Sequence, residues 1–220
     1  VKEAFLSAED KNFYKHPGVD VTGVMRAVVS NVRNLGSGRR PEGASTIAQQ
    51  VAQNFLLTKE VSLDRKVQEA ILSFRMERAF SKDEILELYL NEIYLGFGAY
   101  GVASAALNYF GKPLDQLTVD EAAFLAALPK APNNYNPLRK NAAAVARRNY
   151  GLGRMAEDGA ISPSEADELR QRPINVVRKD EADFVEAPYF AEEVRRELVD
   201  RFGDGALYEG GLSVRPTLDP

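Results

Sequence analysis

The sequence contains no cysteine and a single histidine, His16, among its 220 residues. The absence of cysteine excludes a disulfide-linked scaffold, a thiolate metal site and a cysteine nucleophile. A lone histidine argues against a histidine-based metal centre, and its place before Pro17 and Gly18 indicates a structural hydrogen-bonding role at a turn. No apolar run approaches the length of about 18 residues that a membrane-spanning helix needs.

The charge is unevenly distributed along the chain. The net charge of −4 argues against a nucleic acid as partner. Residues 1–150 carry 19 Lys/Arg against 16 Asp/Glu, whereas residues 151–220 carry 9 against 16. We therefore expect an anionic ligand to bind to the first part, and we interpret the last part as a different region.

Strand patterns are nearly absent, and signals for helix starts recur. Ser81 with Glu84 and Thr118 with Glu121 have the spacing of capping boxes, and Ser162 precedes Pro163 in a third start of this kind. Alternation typical of a strand occurs only near the end, at residues 211–215. The sequence predicts an all-α domain over residues 1–173 and a linker with a C-terminal β-strand over residues 174–220.

An apolar stripe with helical spacing runs through residues 21–32, at positions i, i+3, i+4, i+7, i+8 and i+11. Such a stripe is typical of core packing. It is equally the pattern of a helix whose apolar face rests in a membrane interface. The basic residues Arg39 and Arg40 follow in a glycine-rich loop.

Three segments carry residues suited to chemistry, each with a plainer alternative. Glu9 and Asp10 are adjacent carboxylates that could supply a general base, or they form a solvated helix start. Residues 43–50 place small residues, hydroxyls and amides where backbone N–H groups can bind an anion, or where Ser45 or Thr46 caps a helix. Residues 65–69 place Arg65 and Glu69 four apart, as an ion pair or as phosphate-binding and acidic groups.

The order of these segments resembles the signatures of the family 51 peptidoglycan glycosyltransferases. The matching patterns are E-D-x-x-F-x-x-H-x-G at residues 9–18, G-x-S-T-I-x-Q-Q at 43–50, R-K-x-x-E at 65–69, K-x-x-I-L-x-x-Y-L-N at 82–91, and a fifth stretch at 98–132. Five ordered motifs over about the first 140 residues identify the chain as a member of this family.

This resemblance implies a lysozyme-like all-helical fold with a second, membrane-apposed lobe, which favours the interfacial interpretation of residues 21–32. It also implies polymerisation of lipid II at the outer face of the bacterial cytoplasmic membrane. The donor is a growing glycan on undecaprenyl pyrophosphate, and the acceptor is a sugar 4-hydroxyl of lipid II. The expected partners are these substrates, the membrane interface and other proteins of cell-wall synthesis.

The resemblance also assigns roles to residues. Glu9 is expected to be the general base, and Glu69 to position the donor or to hold a divalent cation, Mg²⁺ or Mn²⁺, on the pyrophosphate. His16, Gly18 and Asn91 occupy structural positions of the motifs. The substrate-binding residues it implies are Asp10, Phe13, Arg26, Ser45, Thr46, Gln49, Gln50, Arg65 and Lys66.

The chain departs from the family where basic residues are usual, at Gln53, Val61 and Gln68. Each missing cation removes a phosphate contact worth about 1.5–3 kcal/mol, unless Arg39, Arg40 or Lys59 compensates. Three functions therefore compete: an active lipid II polymerase, a weakened enzyme that mainly binds lipid II or forms complexes, and a peptidoglycan hydrolase. The hydrolase leaves the phosphate-oriented motifs without a role.

The end of the sequence, residues 210–219, resembles the strand that leads toward the transpeptidase half of class A penicillin-binding proteins. We therefore expect the chain to be the glycosyltransferase part of a bifunctional enzyme, with the membrane anchor and the transpeptidase domain outside it. No Ser-x-x-Lys followed by Lys-Thr-Gly is present, so the chain itself is not expected to bind penicillin.

Overall fold

The computed structural model describes residues 1–34, 45–56, 63–177 and 188–208, together with Val214. These residues form α-helices joined by turns and two short 3₁₀ segments, and their one β-pairing is an isolated bridge between Tyr94 and Tyr100. The predicted all-α fold is confirmed for this part of the chain. The helices are α1 (Lys2–Glu9), α2 (Val21–Arg33), α3 (Ile47–Leu56), α4 (Leu63–Ala79), α5 (Lys82–Glu92), α6 (Val102–Phe110), α7 (Val119–Ala126), α8 (Asn141–Glu157), α9 (Pro163–Arg170) and α10 (Pro188–Tyr208).

The helix starts follow the predicted caps. The Ser81 amide and the Glu84 carboxylate, 2.7 Å apart, form one half of a capping box at the start of α5, and Ser81 accepts from the Glu84 amide. At α7 the Glu121 carboxylate accepts from the Thr118 amide at 2.9 Å. Ser162 accepts from the amide of Glu165 in the first turn of α9. These local bonds satisfy amides that a helix N-terminus would otherwise leave unpaired.

One hydrophobic core joins the helices that carry the motifs. Its aromatic centre contains Phe5 of α1, Tyr89 of α5, Tyr109 of α6 and Phe124 of α7, all nearly inaccessible to solvent. α1 packs against α7 and α8, while α3 packs against α4 and α5. This arrangement places the C-terminal end of α1 between α3 and α8.

α2 leaves its apolar stripe in solvent. Val21, Met25 and Val32 are each more than 60% exposed, and Ala27 is the buried residue of the helix. Asp20 caps the helix: burial opposes its ionisation, but bonds from Thr22, the Gly23 amide and Asn12 outweigh burial and lower the pKa of Asp20 to about 2. Within the described ranges, the stripe is therefore not part of the core, contrary to the core-packing alternative. No helix in the described ranges is long and apolar enough to span a membrane.

The acidic tail contains a helix that its sequence did not predict. α10 occupies Pro188–Tyr208, within the segment expected to be a linker. Gly203 has a φ of 79° and interrupts the regular helix near its end. The predicted strand at residues 211–215 lies outside the described residues, apart from Val214.

Candidate active site

A cleft of about 380 Å³ lies at the C-terminal end of α1. One side is formed by the start of α3 and by α2, and the other by α8 and the turn after α7. Of the predicted site residues, the cleft brings together those at the end of α1 and the start of α3, with one arginine of α2. These are Glu9, Asp10, Arg26, Ser45, Thr46 and Gln50.

Glu9 is the last residue of α1, and its carboxylate accepts a hydrogen bond from Gln50 Nε2 at 3.0 Å. Burial raises the pKa of Glu9. The Gln50 hydrogen bond and the charges of Arg147 and Lys130 act against this rise, and neighbouring Asp10 adds to it. A poorly solvated carboxylate with a raised pKa, whose ionised form is favoured by a hydrogen bond and nearby cations, has the properties of a general base.

Asp10 is buried and connects the first two motifs. Its carboxylate lies 3.0 Å from His16 Nε2 and accepts from the Ile47 amide at 3.1 Å. It thereby holds the start of α3 against the end of α1. These contacts are all within the protein, so the substrate-binding role of Asp10 stays a prediction.

The second motif builds the start of α3. The Thr46 amide donates to Gln49 Oε1 at 3.0 Å, and the Gln49 amide donates to Thr46 Oγ1 at 3.2 Å. This reciprocal pair is a capping box. Thr46 Oγ1 also donates to the Gly18 carbonyl at 2.5 Å. The box orients Gln50, the next residue, toward Glu9, while the Gln49 side chain does not line the cleft.

The third motif forms a buried ion cluster on α4. The Glu69 side chain has no solvent exposure, and its two oxygens lie 2.5 Å from Lys66 Nζ and 3.1 Å from Arg65 Nε. Lys66 Nζ also donates to Ser45 Oγ at 3.2 Å, so the cluster supports the cleft through Ser45. Glu69 itself does not line the cleft with Glu9.

The residues around Glu69 do not fit a protein-held divalent cation. Both carboxylate oxygens face cationic nitrogen atoms, and a metal ligand set prefers several oxygens free of such partners. The described ranges contain no group of three His, Cys, Asp or Glu side chains that could hold a metal ion. The divalent cation stays a prediction, and we assign no step to it.

Three further motif residues lie outside the cleft. Phe13 is buried and packs edge-on against Tyr14 and His16, with Lys82 Nζ 4.5 Å from its ring centre. Phe13 was predicted to contact the substrate, but it does not line the cleft. Gly18 has a φ of +99°, and a Cβ there would lie 3.0 Å from the Ser73 carbonyl. The Asn91 carbonyl lies so close to Gly101 that any side chain at position 101 would collide with this carbonyl.

The cleft also contains cations to which sequence reasoning assigned no role. Lys130, Arg147 and Arg154 line the side opposite α3, together with Tyr150 and with Lys11 at the end of α1. The signal for them is weak but present. Arg147, Tyr150 and Arg154 have the i, i+3, i+7 spacing of one face of α8, and Lys130 lies within the fifth motif stretch.

Some predicted positions lie outside the described residues: Gly43, Ala44, Val61, and the compensating residues Arg39, Arg40 and Lys59. Of the other two positions without a basic residue, Gln53 is half-buried on α3 and Gln68 is exposed on α4. Neither lines the cleft.

Comparison with known proteins agrees with the motifs. A family model described as "Transglycosylase" matches residues 1–156. Penicillin-binding protein 1A of Rickettsia bellii is 51% identical over all of this chain, and that of Escherichia coli is 48% identical over 98% of it. The chain spans 28% and 25% of the length of these two relatives. The crystal structure of penicillin-binding protein 1A from Haemophilus influenzae is 38% identical and covers 75% of this chain and 21% of its own, with a TM-score of 0.44.

The family match covers most of the chain and includes α1 through most of α8. Its range contains every motif and every residue that lines the cleft. The chain therefore belongs to the transglycosylase family, the peptidoglycan glycosyltransferases that its five sequence motifs predict.

Proposed function

We propose that this chain polymerises lipid II into β-1,4-linked glycan, with Glu9 as the general base of a single inverting displacement. The observation that carries the proposal is the environment of Glu9. Burial removes its carboxylate from solvent and raises its pKa, while the Gln50 hydrogen bond and the charges of Arg147 and Lys130 favour the ionised form. A poorly solvated carboxylate lowers its free energy most by accepting a proton, which favours its action as a base.

In the proposed step, Glu9 removes the proton of the acceptor 4-hydroxyl while that oxygen bonds to the anomeric carbon of the donor. The bond from this carbon to the pyrophosphate breaks, and undecaprenyl pyrophosphate leaves with the electron pair. Attack from the opposite face converts the α-linkage of the donor into a β-linkage without a covalent intermediate. Arg26 and the Ser45–Lys66 pair are proposed to balance the leaving group's charge, because Arg26 and Ser45 line the cleft and Lys66 donates to Ser45.

The parent protein is proposed to be a bifunctional penicillin-binding protein, because the relatives with that name are about four times as long as this chain. The proposed location is the outer face of the cytoplasmic membrane. The exposed apolar stripe of α2 supports this location, since one side of that helix has no protein cover among the described residues.

The first test is Glu9→Gln, which keeps the size and hydrogen-bonding capacity of the side chain and removes its basicity. We expect polymerisation of labelled lipid II to fall by about 10²-fold or more, with helix content and lipid II binding retained. Glu168→Gln, on an exposed carboxylate of α9, is the matched control. Comparable glycan synthesis by Glu9→Gln would show that another group is the base.

The same assay separates the other functions. Incubation with polymeric glycan in place of lipid II would release fragments only if the chain were a hydrolase. Glu69→Gln is expected to reduce turnover with a larger effect on donor binding, because it removes the anion that holds Arg65 and Lys66. Tight lipid II binding without any product would instead indicate the weakened, substrate-binding alternative.

A further inference from the structure

The α8 side of the cleft contains an arginine whose position is fixed by several contacts. Arg147 Nε donates to the Ala127 carbonyl at 3.1 Å. The guanidinium carbon lies 4.9 Å from the ring centre of Tyr150 and 5.8 Å from that of Tyr135. These contacts hold the planar group on aromatic faces instead of leaving it to move freely in solvent.

In the part of the chain that the structure describes, Arg147 forms no ion pair. Among the described residues, no carboxylate lies within ion-pair distance of its guanidinium, in contrast to Arg65, Arg154 and Arg172. Its charge therefore acts on the cleft that it lines. The Glu9 carboxylate, the proposed base, lines the same cleft.

Charged and titratable groups face Glu9 from several elements. Asp10 neighbours it on its own side, and the buried phenol of Tyr89 on α5 experiences the charge of both carboxylates. Gln50 from α3 is neutral. The charged groups that line the rest of the cleft are Lys11, Asp20, Arg26, Lys130, Arg147 and Arg154.

We propose that Arg147 is a positioning residue for the general base: its fixed positive charge, which forms no ion pair among the described residues, keeps the Glu9 carboxylate ionised in the cleft. This inference rests on the proposed function of Glu9. Among the groups that lower the pKa of Glu9, the Gln50 hydrogen bond has the largest effect, the charge of Arg147 the next largest, and Lys130 follows. A neutral side chain at position 147 removes that influence, and the carboxylate then ionises only at higher pH.

The kinetic test compares rate–pH profiles of wild type, Arg147→Met and Arg147→Lys. The reaction needs ionised Glu9, so each profile rises on its acid side. We expect Arg147→Met to shift this rise to higher pH and to lose about three- to tenfold in relative rate there, with much less loss on the plateau. Arg147→Lys retains the charge and should restore most of the acid-side rate. Equal losses at every pH in both variants would overturn the inference in favour of a structural role.

A direct titration separates this inference from the assignment of the base. The ¹³C-labelled carboxyl signal of Glu9, identified by its loss in Glu9→Gln, is followed with pH in each folded variant. We expect a titration at higher pH in Arg147→Met and no change in Arg75→Met, a matched change on an exposed part of α4. An unmoved titration in Arg147→Met overturns the inference whatever the activity.

A moved titration with an unmoved rate profile would support the influence of Arg147 on Glu9 and contradict Glu9 as the base. If Arg147→Met does not fold, Arg147→Gln carries the same test, because its amide can still donate to the Ala127 carbonyl. Lys130→Met is expected to move the Glu9 titration in the same direction by a smaller amount.

Discussion

At the scale of the residue, burial of Glu9 lowers the stability of the fold at neutral pH and suits the carboxylate to its proposed role as a base. Burial raises its pKa above the ordinary value of 4.5, so the folded chain holds a proton on Glu9 more tightly than the unfolded chain does. Ionising Glu9 therefore destabilises the fold at neutral pH, and this cost disappears below pH 4.5, where both states are protonated. Keeping a functional carboxylate away from solvent lowers stability, and proteins commonly lose some stability in this way where activity requires it.

Glu9→Gln should consequently stabilise the protein at neutral pH, because glutamine resembles the protonated acid. A gain on the order of 1 kcal/mol corresponds to a rise in Tm of about 2–4 °C for a chain of this size. Thermal unfolding of wild type and variant is measured at neutral pH and again below pH 4.5, where the difference should vanish. A variant that is less stable than wild type at neutral pH would contradict the sign of this argument.

Gly18 illustrates a second constraint at the residue scale, that of backbone geometry. Its φ of +99° and its 3.0 Å approach to the Ser73 backbone both exclude a side chain. Gly18→Ala should lose about 1–3 kcal/mol of unfolding free energy in denaturant titration. Gly159→Ala is the matched control, since its φ is +78° but a Cβ there would meet nothing within 4 Å. Equal losses in the two variants would mean that φ alone, and not the contact with Ser73, limits position 18.

At the scale of the element, α2 is a helix whose apolar face is exposed and packs against no core in the described part of the chain. Asp20 caps the start of the helix by accepting from the Gly23 amide, a contact in which the valines take no part. The exposed face is suited to rest in the interface of a membrane, next to headgroups that attract Arg26 and Arg33.

Met25→Glu combined with Val29→Glu should therefore reduce co-sedimentation with anionic liposomes severalfold while Tm changes little. Burying a charge in the interface is costly, but neither side chain supports the core. Leu114→Glu combined with Leu138→Glu alters two exposed leucines away from α2 and serves as control. Unchanged liposome binding, or a large loss of Tm in the α2 variant, would return this face to a packing role.

At the scale of the whole molecule, the residues that line the cleft and the chain as a whole have net charges of opposite sign. The chain is net negative, whereas five cations and three acids line the cleft. Such a cleft attracts a diphosphate more strongly than the net charge implies. Gln53 and Gln68, where the family usually has basic residues, do not line this cleft, whose cations lie at other positions.

This balance predicts a salt dependence of substrate binding. Raising ionic strength from about 0.1 M to about 1 M shortens the Debye length from about 10 Å to about 3 Å and should raise KM for lipid II several-fold, with a smaller effect on kcat. Steady-state polymerisation is measured with two different chloride salts, to separate screening from effects of one cation. A KM that does not change with salt would argue that desolvated contacts, and not the long-range field, dominate binding.

The sequence by itself determined the helical fold class, the helix starts at Ser81, Thr118 and Ser162, and the family, because each depends on residues close together in the chain. Capping at Ser81 and Ser162 needs only a partner three residues away, and the five motifs are local patterns. The tertiary structure decided which motif residues meet. It brings Gln50 to Glu9 across 41 positions and places Asp10 against the Ile47 amide. It also encloses Glu69 in its ion cluster, exposes the α2 stripe and adds Arg147 from α8 to the site. Each of these depends on burial and on the approach of distant segments, which local periodicity does not encode.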